Sequence, residues 1–417
     1  MEKDIYKISR IMYVTEETTA YLITLLLGGA FFAKLTLSLG FSDSLTALLS
    51  SFVNLGCVFQ LLAISIFHGG RVKRRVTILY TISQLLFVLL YIIPFFKIAP
   101  YIRTGIFIII LLGGYFILNI VSSPKTTWFM SLVPDNKRGR FTAYKEGVSL
   151  ICGVMFQFCT GSAIDYLDSV GSTSLSFIVC AFSIFTLMAI HTISLIISKE
   201  KDMPQSEKSS FFKTTADIIR DKSTRSIIVL GIMWTSSHSI STPFFGTYQI
   251  KELGFNLKFV ALLSTVYAVA RIFASMFLGR YADKNSFAKM LRICYILVSI
   301  SYIAIALAIP QSGHAMFIIY NIFMAAGMGG INSAEINLVF DHVAPENRKN
   351  ALAVKHTICG LCGFGATLCA TPLLNAIQKY SLNINGVNLY GQQLLSFISF
   401  VITIIMIYYL SKKLIKK

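Results

Sequence analysis

The second half of this 417-residue sequence repeats the first. Residues 39–41 (Leu-Gly-Phe) and 47–50 (Ala-Leu-Leu-Ser) recur at the same internal spacing as residues 253–255 and 261–264. Further along, six residues recur with a shift of 210 positions: Val133, Arg138, Ala143, Lys145, Cys152 and Gly153 match Val343, Arg348, Ala353, Lys355, Cys362 and Gly363. Both matches divide the chain near its middle, so we expect two copies of one structural unit.

Hydrophobic residues make up 55% of the chain, charged residues make up 13%, and the mean hydropathy is +0.69. One soluble core cannot enclose that much apolar surface, so we expect the chain to use lipid as its solvent. An apolar run of about 20 residues crosses the hydrocarbon layer of a bilayer. Twelve such runs, six in each half, are predicted at 17–39, 44–67, 76–96, 104–131, 142–164, 173–198, 226–249, 258–279, 290–310, 314–340, 351–377 and 393–411. The first is expected to be a retained helix, because no small-residue cleavage site follows it.

The net charge of +18 is distributed over alternate loops, which argues against a nucleic-acid-binding surface. One set of loops, together with both termini, holds 27 Lys and Arg residues, whereas the loops between them hold five. Basic residues concentrate on the cytoplasmic side of membrane proteins. Both termini are therefore predicted to be cytoplasmic, in an inner or plasma membrane, and the lipid bilayer is an expected partner.

All eight cysteines fall inside predicted spans, so no disulfide framework is expected. Cys359 and Cys362 have the spacing of a redox or metal pair, but no second pair or nearby histidine cluster completes four ligands. The chain also contains no catalytic triad and no phosphate-binding glycine loop in a suitable aqueous site. We therefore expect neither an enzyme nor a cofactor.

These observations predict an all-α membrane protein whose twelve transmembrane helices form two pseudo-symmetric six-helix bundles. The bundles are expected at 1–198 and 226–417, joined by a cytoplasmic linker at 199–225. The linker spacing indicates either a short amphipathic helix on the membrane face or a solvated segment. Repeated bundles of this kind are typical of alternating-access transporters.

Twelve spans in two sets of six, a basic central loop and cytoplasmic termini resemble the major facilitator superfamily of transporters over the whole chain. That superfamily carries a loop motif of Gly, three residues, Asp, a basic residue and a later basic cluster, after helix two and again after helix eight. Gly279, Asp283 and Lys284 match the second copy, whereas residues 286–288 depart from it. The resemblance implies that this motif latches the cytoplasmic side, with Asp283 as its acidic member.

The first copy of the motif is less complete. Its basic end remains at residues 73–75, but Ser65 and Gly69 stand where Gly and Asp are expected. The loops after helices four and ten carry an acidic residue followed by Arg138 or Arg348, as the family often does, so these arginines are further gating candidates. The signatures of drug antiporters and sugar porters are absent from the sequence, and the substrate therefore cannot be identified from motifs.

Arg271 is the most prominent ionisable residue inside a predicted span. It lies about 12 Å of helix rise from either span end, too deep for its guanidinium to reach water easily. Either it binds a carboxylate or phosphate of the substrate through two parallel hydrogen bonds, or it pairs with an acid on another helix.

The seventh span contains the most polar stretch, residues 234–243, which ends at Pro243. Broken, hydroxyl-rich helices at mid-membrane line cavities. His238 lies at its centre and either exchanges a proton, donates a hydrogen bond to a substrate, or bonds to a neighbouring hydroxyl group.

Lys125 and Glu335 are repeat mates of opposite sign, 210 residues apart. In the resembled family, their helices border the central cavity, so the two side chains either face the substrate there or pair locally. The local partners would be Glu146 for Lys125 and Lys355 for Glu335. A buried carboxyl group such as that of Glu335 is also a candidate for proton coupling, together with His238.

Lys34 either extends outward to the membrane surface or turns into the cavity. Four residues could add hydrogen bonds or stacking to a substrate, although single amides in bundles also join helices: Trp234, Tyr267, Asn54 and Gln60.

The sequence thus predicts a secondary active transporter that moves a small organic solute by alternating access. The deep cations Lys34, Lys125 and Arg271 outnumber the deep acid Glu335, which favours an organic anion, with a co-transported proton as an option. Three alternatives remain open: export of amphipathic or lipophilic compounds in the manner of multidrug exporters, a transport-inactive membrane sensor, and a lipid-moving protein.

Overall fold

The fold is taken from a computed structural model that describes residues 5–57, 59, 71–134, 138–201, 220–343, 348–380, 383–384 and 387–415. Within these residues the first half of the sequence forms α1 (Lys7–Leu26), α2 (Gly29–Ser38), α3 (Asp43–Ser50), α4 (Phe52–Gly56), α5 (Lys73–Ile92), α6 (Pro100–Ser131), α7 (Arg138–Ser169) and α8 (Thr173–Ile197). A 3₁₀ turn at Ile93–Phe95 extends α5.

The described part of the second half forms α9 (Lys222–Ser241), α10 (Leu257–Lys284), α11 (Phe287–Ala306), α12 (Gly313–His342), α13 (Arg348–Tyr380) and α14 (Gly391–Lys413). A 3₁₀ turn at Thr242–Phe244, a short α-helical turn at Phe245–Thr247 and a π-helical turn at Tyr248–Glu252 continue α9. Strands β1 (Asn383–Ile384) and β2 (Val387–Asn388) pair antiparallel in the loop before α14.

The all-α membrane fold predicted from hydropathy is confirmed. Among the described residues, nine helices are long and apolar enough to cross a membrane, and α1 with α2, bent by 45°, makes a tenth. These ten coincide with predicted spans. Of the other two, 44–67 runs into residues outside the described part of the chain, and 226–249 contains α9 and its irregular turns. Residues 202–219 of the linker, for which an amphipathic helix or a solvated segment was expected, also lie outside the described residues.

The sequence repeat is visible in the backbone. Gly40 and Gly254 occupy matching positions 214 residues apart, and both have positive φ angles, of 78° and 65°, which favour glycine. Two residues after each glycine a helix begins with a side-chain cap. Ser42 Oγ accepts a hydrogen bond from the Leu45 amide at 3.2 Å, and Asn256 Oδ1 accepts one from the Phe259 amide at 2.8 Å.

Helix packing repeats in the same way. Gly153 of α7 faces Tyr21 of α1, and a Cβ atom added there would lie 2.5 Å from the tyrosine ring. Its repeat mate, Gly363 of α13, faces Thr235 and Ser239 of α9, where an added Cβ would lie 2.6 Å from Thr235 Cγ2. Thr235 lies 214 residues after Tyr21. Both halves therefore use a glycine to bring the same two helices close together.

The chain divides into two compact units. Unit 1 comprises Met1–Phe41, Gly56–Glu207 and Asn256–Ala261, and unit 2 comprises Ser42–Leu55, Lys208–Phe255 and Leu262–Lys417. Relative to the predicted halves, each unit contains a short segment from the other half of the sequence.

Carboxylates hold these exchanged segments within their units. In unit 2, Asp43 accepts hydrogen bonds from Lys251 Nζ at 3.0 Å and Gln378 Nε2 at 2.7 Å. In unit 1, Asp165 accepts from the backbone amides of Leu257 at 3.0 Å and Lys258 at 2.7 Å. These last two bonds satisfy amide groups at the start of α10, which have no partner inside the helix.

The first span is broken between α1 and α2. Gly28 is extended, with φ −143° and ψ 174°, and Gly29 has a φ of 55°. Tyr91 Oη donates to the Leu26 carbonyl at 2.5 Å, and Tyr115 Oη donates to the Leu27 carbonyl at 3.5 Å. The two tyrosines thereby satisfy carbonyl groups that would otherwise be unpaired inside the membrane.

Replacing Gly363 with Ala is expected to destabilise the protein by about 1–3 kcal/mol, because the β-branched Thr235 has little freedom to move away from the added methyl group. Thermal unfolding of the detergent-purified protein, followed by tryptophan fluorescence, measures the change. Gly365→Ala is the matched control on the same helix, since no atom lies within 4 Å of its added Cβ. Equal melting temperatures for the two variants would contradict the packing argument.

Candidate functional site

Lys125 of α6 lies in a buried ion cluster in unit 1. Its Nζ atom is 2.7 Å from Glu16 Oε1 and 2.9 Å from Glu17 Oε1, and it lies 4.9 Å from the centre of the Tyr80 ring. Only 5% of Lys125 is exposed, and Glu16 is fully buried. The expected local partner was wrong: Glu146 is exposed, and the acids of α1 pair with Lys125 instead.

The same two acids connect further residues to the cluster. Glu17 Oε2 lies 3.1 Å from Lys145 Nζ of α7, and that ammonium group also lies over the Tyr13 ring. Glu16 Oε1 lies 2.8 Å from Nε2 of His191 in α8. With Tyr80 of α5, five helices of unit 1 therefore contribute ionisable groups to one site.

Sequence reasoning did not include Glu16, Glu17 and His191 among the candidates. The first span was predicted at 17–39, so Glu17 stood at its first position and Glu16 just outside it. In the structure α1 begins ten residues earlier, at Lys7, and both acids lie within it. Lys125 and Lys145 were a usable signal, since two deep lysines in one half require buried acids nearby.

Lys34 also has an acidic partner. Its ammonium group forms an ion pair with Asp168 of α7, and Ser176 Oγ donates to the same carboxylate at 3.2 Å. Lys34 thus neither extends alone to the surface nor presents an unpaired charge to a cavity.

Unit 2 contains a simpler ion pair. Lys355 Nζ of α13 lies 3.0 Å from Glu335 Oε2 of α12, the local arrangement weighed from the sequence. Lys355 is 4% exposed. The repeat mate of Glu17 here is Gly231, where an added Cβ would lie 3.0 Å from Lys355 Cε and 2.8 Å from Cys359 Sγ. Both halves therefore pair the lysine at equivalent positions with a carboxylate, but the carboxylate comes from different helices.

His238 lies in an aromatic and hydroxyl-rich environment in unit 2. Its Nδ1 atom lies 3.3 Å from Thr242 Oγ1 and 3.5 Å from Tyr302 Oη. The ring stacks on Trp234 with centroids 5.5 Å apart, and Trp234 stacks on Tyr295 at 5.8 Å. Among the alternatives from the sequence, the geometry is that of a histidine bonded to neighbouring hydroxyl groups.

The serines of α9 join helices together. Ser237 Oγ donates to the Ser399 carbonyl at 2.9 Å, and Ser399 Oγ donates to Ser241 Oγ at 3.1 Å, which fixes α9 against α14. Ser239 Oγ accepts from Asn54 Nδ2 at 3.1 Å. The three serines of α9, Ser237, Ser239 and Ser241, are buried, so this part of the polar stretch packs against other helices.

Arg271 has a different environment. Its side chain is half-buried in the middle of α10, and it forms no hydrogen bond or ion pair with any other described residue. At this level α10 approaches α12 closely: a Cβ added at Gly329 would lie 3.2 Å from the Arg271 carbonyl oxygen. Tyr267, one turn earlier, is also half-buried.

The gating candidates are only partly described. Gly279 and Lys284 are exposed at the end of α10. The side chains of Arg138, Asp283 and Arg348 lie outside the described part of the structure, and so does the whole of Gln60. The gating roles of these residues, like the substrate and coupling roles above, stay predictions.

Solved structures of transporters share this fold. The nucleoside transporter NupG superimposes with a TM-score of 0.67 at 11% identity, covering 98% of this chain and 99% of its own. A D-xylose-proton symporter gives 0.69 at 13% identity, covering 97% of both chains. An auto-inhibited peptide transporter of the POT family gives 0.71 at 10% identity, covering 96% of both.

Together, the repeated bundles and the helices that cross the membrane define a multi-pass membrane protein with a transporter fold. The sequence profile of the Major Facilitator Superfamily matches residues 18–367, and the chain belongs to that superfamily. A comparison with curated protein sequences finds no significant match.

Glu335→Gln is expected to destabilise the protein by about 3 kcal/mol, because it leaves the buried ammonium group of Lys355 without a counter-charge. The double variant Glu335→Gln with Lys355→Met removes both charges and is expected to recover most of the loss. Thermal unfolding of the two single variants and the double variant measures the coupling. Additive effects of the two substitutions would show that the ion pair contributes nothing.

Proposed function

We propose that this protein is a secondary active transporter of the cell membrane, with cytoplasmic termini, that moves a small organic anion by alternating access. Superfamily membership and the transporter fold support the transport activity. The fold neighbours carry chemically different solutes, nucleosides, xylose and peptides, so they do not indicate the substrate. The charge inventory of the spans provides the argument for an anion.

The charged residues of the spans, and their partners in the structure, differ from those expected from the sequence. Lys34 and Lys125, counted from the sequence among the deep cations, are paired with carboxylates. The expectation that Glu335 is the lone deep acid was wrong, because Glu16 is fully buried in α1. Arg271 remains as the deep cation that pairs with no described residue, and the proposal of an anionic substrate depends on it.

A guanidinium group is always charged at physiological pH, and an uncompensated charge in a low-dielectric region is costly. A transported carboxylate or phosphate would supply the missing counter-charge and could accept two parallel hydrogen bonds from the planar fork. Tyr267, one turn away on the same helix, adds a hydroxyl group to this region. Arg271 is thus the proposed anion-binding residue, with Tyr267 beside it.

A thermal-shift experiment tests this assignment, because a ligand that binds only the folded state raises the melting temperature. Sodium benzoate, citrate and glutamate are compared with the neutral solutes uridine and xylose, all added to the detergent-purified protein. At least one anion is expected to stabilise the wild type, and Arg271→Ala should lose that response. Arg271→Lys should retain part of it, since lysine keeps the charge but not the planar fork.

Arg292→Ala is the matched control, because Arg292 is an exposed arginine near the start of α11. It should respond to anions as the wild type does. Stabilisation by neutral lipophilic dyes in both the wild type and Arg271→Ala, with no response to anions, would contradict the proposal and favour export of lipophilic compounds.

A further inference from the structure

The ion cluster of unit 1 contains two buried polar atoms with no hydrogen-bond partner among the described residues. These atoms are Glu16 Oε2 and His191 Nδ1. They belong to two side chains that contact each other directly, through Glu16 Oε1 and His191 Nε2. Buried polar atoms normally have a hydrogen-bond partner. Two side chains that bond to each other and each leave one polar atom without a partner therefore require an explanation.

The hydrogen bonds determine which atoms carry protons. Lys125 Nζ can only donate, so Glu16 Oε1 accepts from it and that oxygen carries no proton. His191 Nε2 must then donate to that oxygen as well, which leaves a lone pair on Nδ1 when the ring is neutral. A further proton can bind at His191 Nδ1 or at Glu16 Oε2, the two bare ends of the same pair.

The charges of the cluster balance only in the absence of that proton. Glu16 and Glu17 carry two negative charges, and Lys125 and Lys145 carry two positive charges. The titratable groups that face the pair come from every helix packed around it: Tyr13 and Glu17 of α1, Tyr80 of α5, Lys125 of α6 and, through Glu17, Lys145 of α7. Binding one proton gives this buried group a net positive charge, which is costly without a counter-charge.

We propose that the Glu16–His191 pair is the proton-binding site of the transporter, and that proton binding there is coupled to binding of the anionic substrate. The coupling half of this proposal rests on the proposed function. A proton and an anion that both bind preferentially to the same conformational state promote each other's binding, even when they occupy different sites.

The second half of the chain lacks the equivalent pair. The repeat mate of Glu16 is Leu230, and no histidine occurs in α14, the counterpart of α8. Its Glu335–Lys355 pair is balanced, and neither residue has a buried polar atom left without a partner. Proton coupling is therefore assigned to the Glu16–His191 pair of unit 1, in place of Glu335 and His238, the candidates from the sequence.

The first test measures anion binding at two pH values. Thermal shifts with benzoate, citrate and glutamate are recorded at about pH 5.5 and about pH 7.5, on either side of the usual histidine pKa. A proton that promotes anion binding is bound at the lower pH, so the apparent Kd of the wild type should be about tenfold lower there. His191→Gln and Glu16→Gln should bind the anion with little dependence on pH.

His314→Gln is the control, because His314 is an exposed histidine of α12 whose ring contacts Phe255 at a tilt. It should keep the pH dependence of the wild type. A pH dependence that persists unchanged in both His191→Gln and Glu16→Gln would overturn the proposal, whatever the anion.

The second test needs no substrate. Nitrogen NMR of ¹⁵N-histidine-labelled, ligand-free protein follows the imidazole signals between about pH 5 and pH 8, and the signal missing in His191→Gln identifies His191. The signal should report an Nε2–H tautomer at high pH, and Glu16→Gln should alter its titration. A His191 signal that neither titrates nor responds to Glu16→Gln would overturn the proton site. If no anion stabilises the wild type, the proposed function fails while this test still decides the proton site.

Discussion

Charge compensation inside the membrane is the constraint on which much of this structure depends. Lys145 and Lys355 are repeat mates, and each must face a carboxylate because lipid offers no counter-charge. In unit 1 the carboxylate comes from α1, and in unit 2 it comes from α12. The position of Glu17 in unit 1 is occupied by Gly231 in unit 2, because a larger side chain there would collide with Lys355. The two copies thus keep the lysine at equivalent positions but take its carboxylate partner from different helices.

Much of the fold could be predicted from the sequence because its determinants are local. Hydropathy is a property of contiguous residues, so ten predicted spans coincide with helices or with the bent α1–α2 pair. The repeat also extends to detail: the Gly40 and Gly254 turns and the glycine contacts at Gly153 and Gly363 recur at matching positions. The superfamily followed from the same pattern of spans and loops.

The partners of the charged residues could not be predicted in the same way. Lys125 pairs with Glu16 across 109 positions of sequence, and no local rule specifies such a contact. The predicted first span began at residue 17, whereas α1 begins at Lys7, so hydropathy placed the two acids at the edge of a span and the fold buries them inside a helix. Periodicity also does not reveal whether a serine faces a helix or a cavity, and Ser237 and Ser239 proved to face helices.

The break between α1 and α2 separates two groups of ion pairs along one membrane span. Before the break, α1 is held by ion pairs to α6, α7 and α8. After the break, α2 contributes Lys34 to a separate ion pair with Asp168. Because Tyr91 and Tyr115 bind the carbonyls at the joint, side chains of α5 and α6 satisfy the backbone where the span changes direction. The ion pairs of α1 and the ion pair of α2 therefore belong to two helices of different direction within one span.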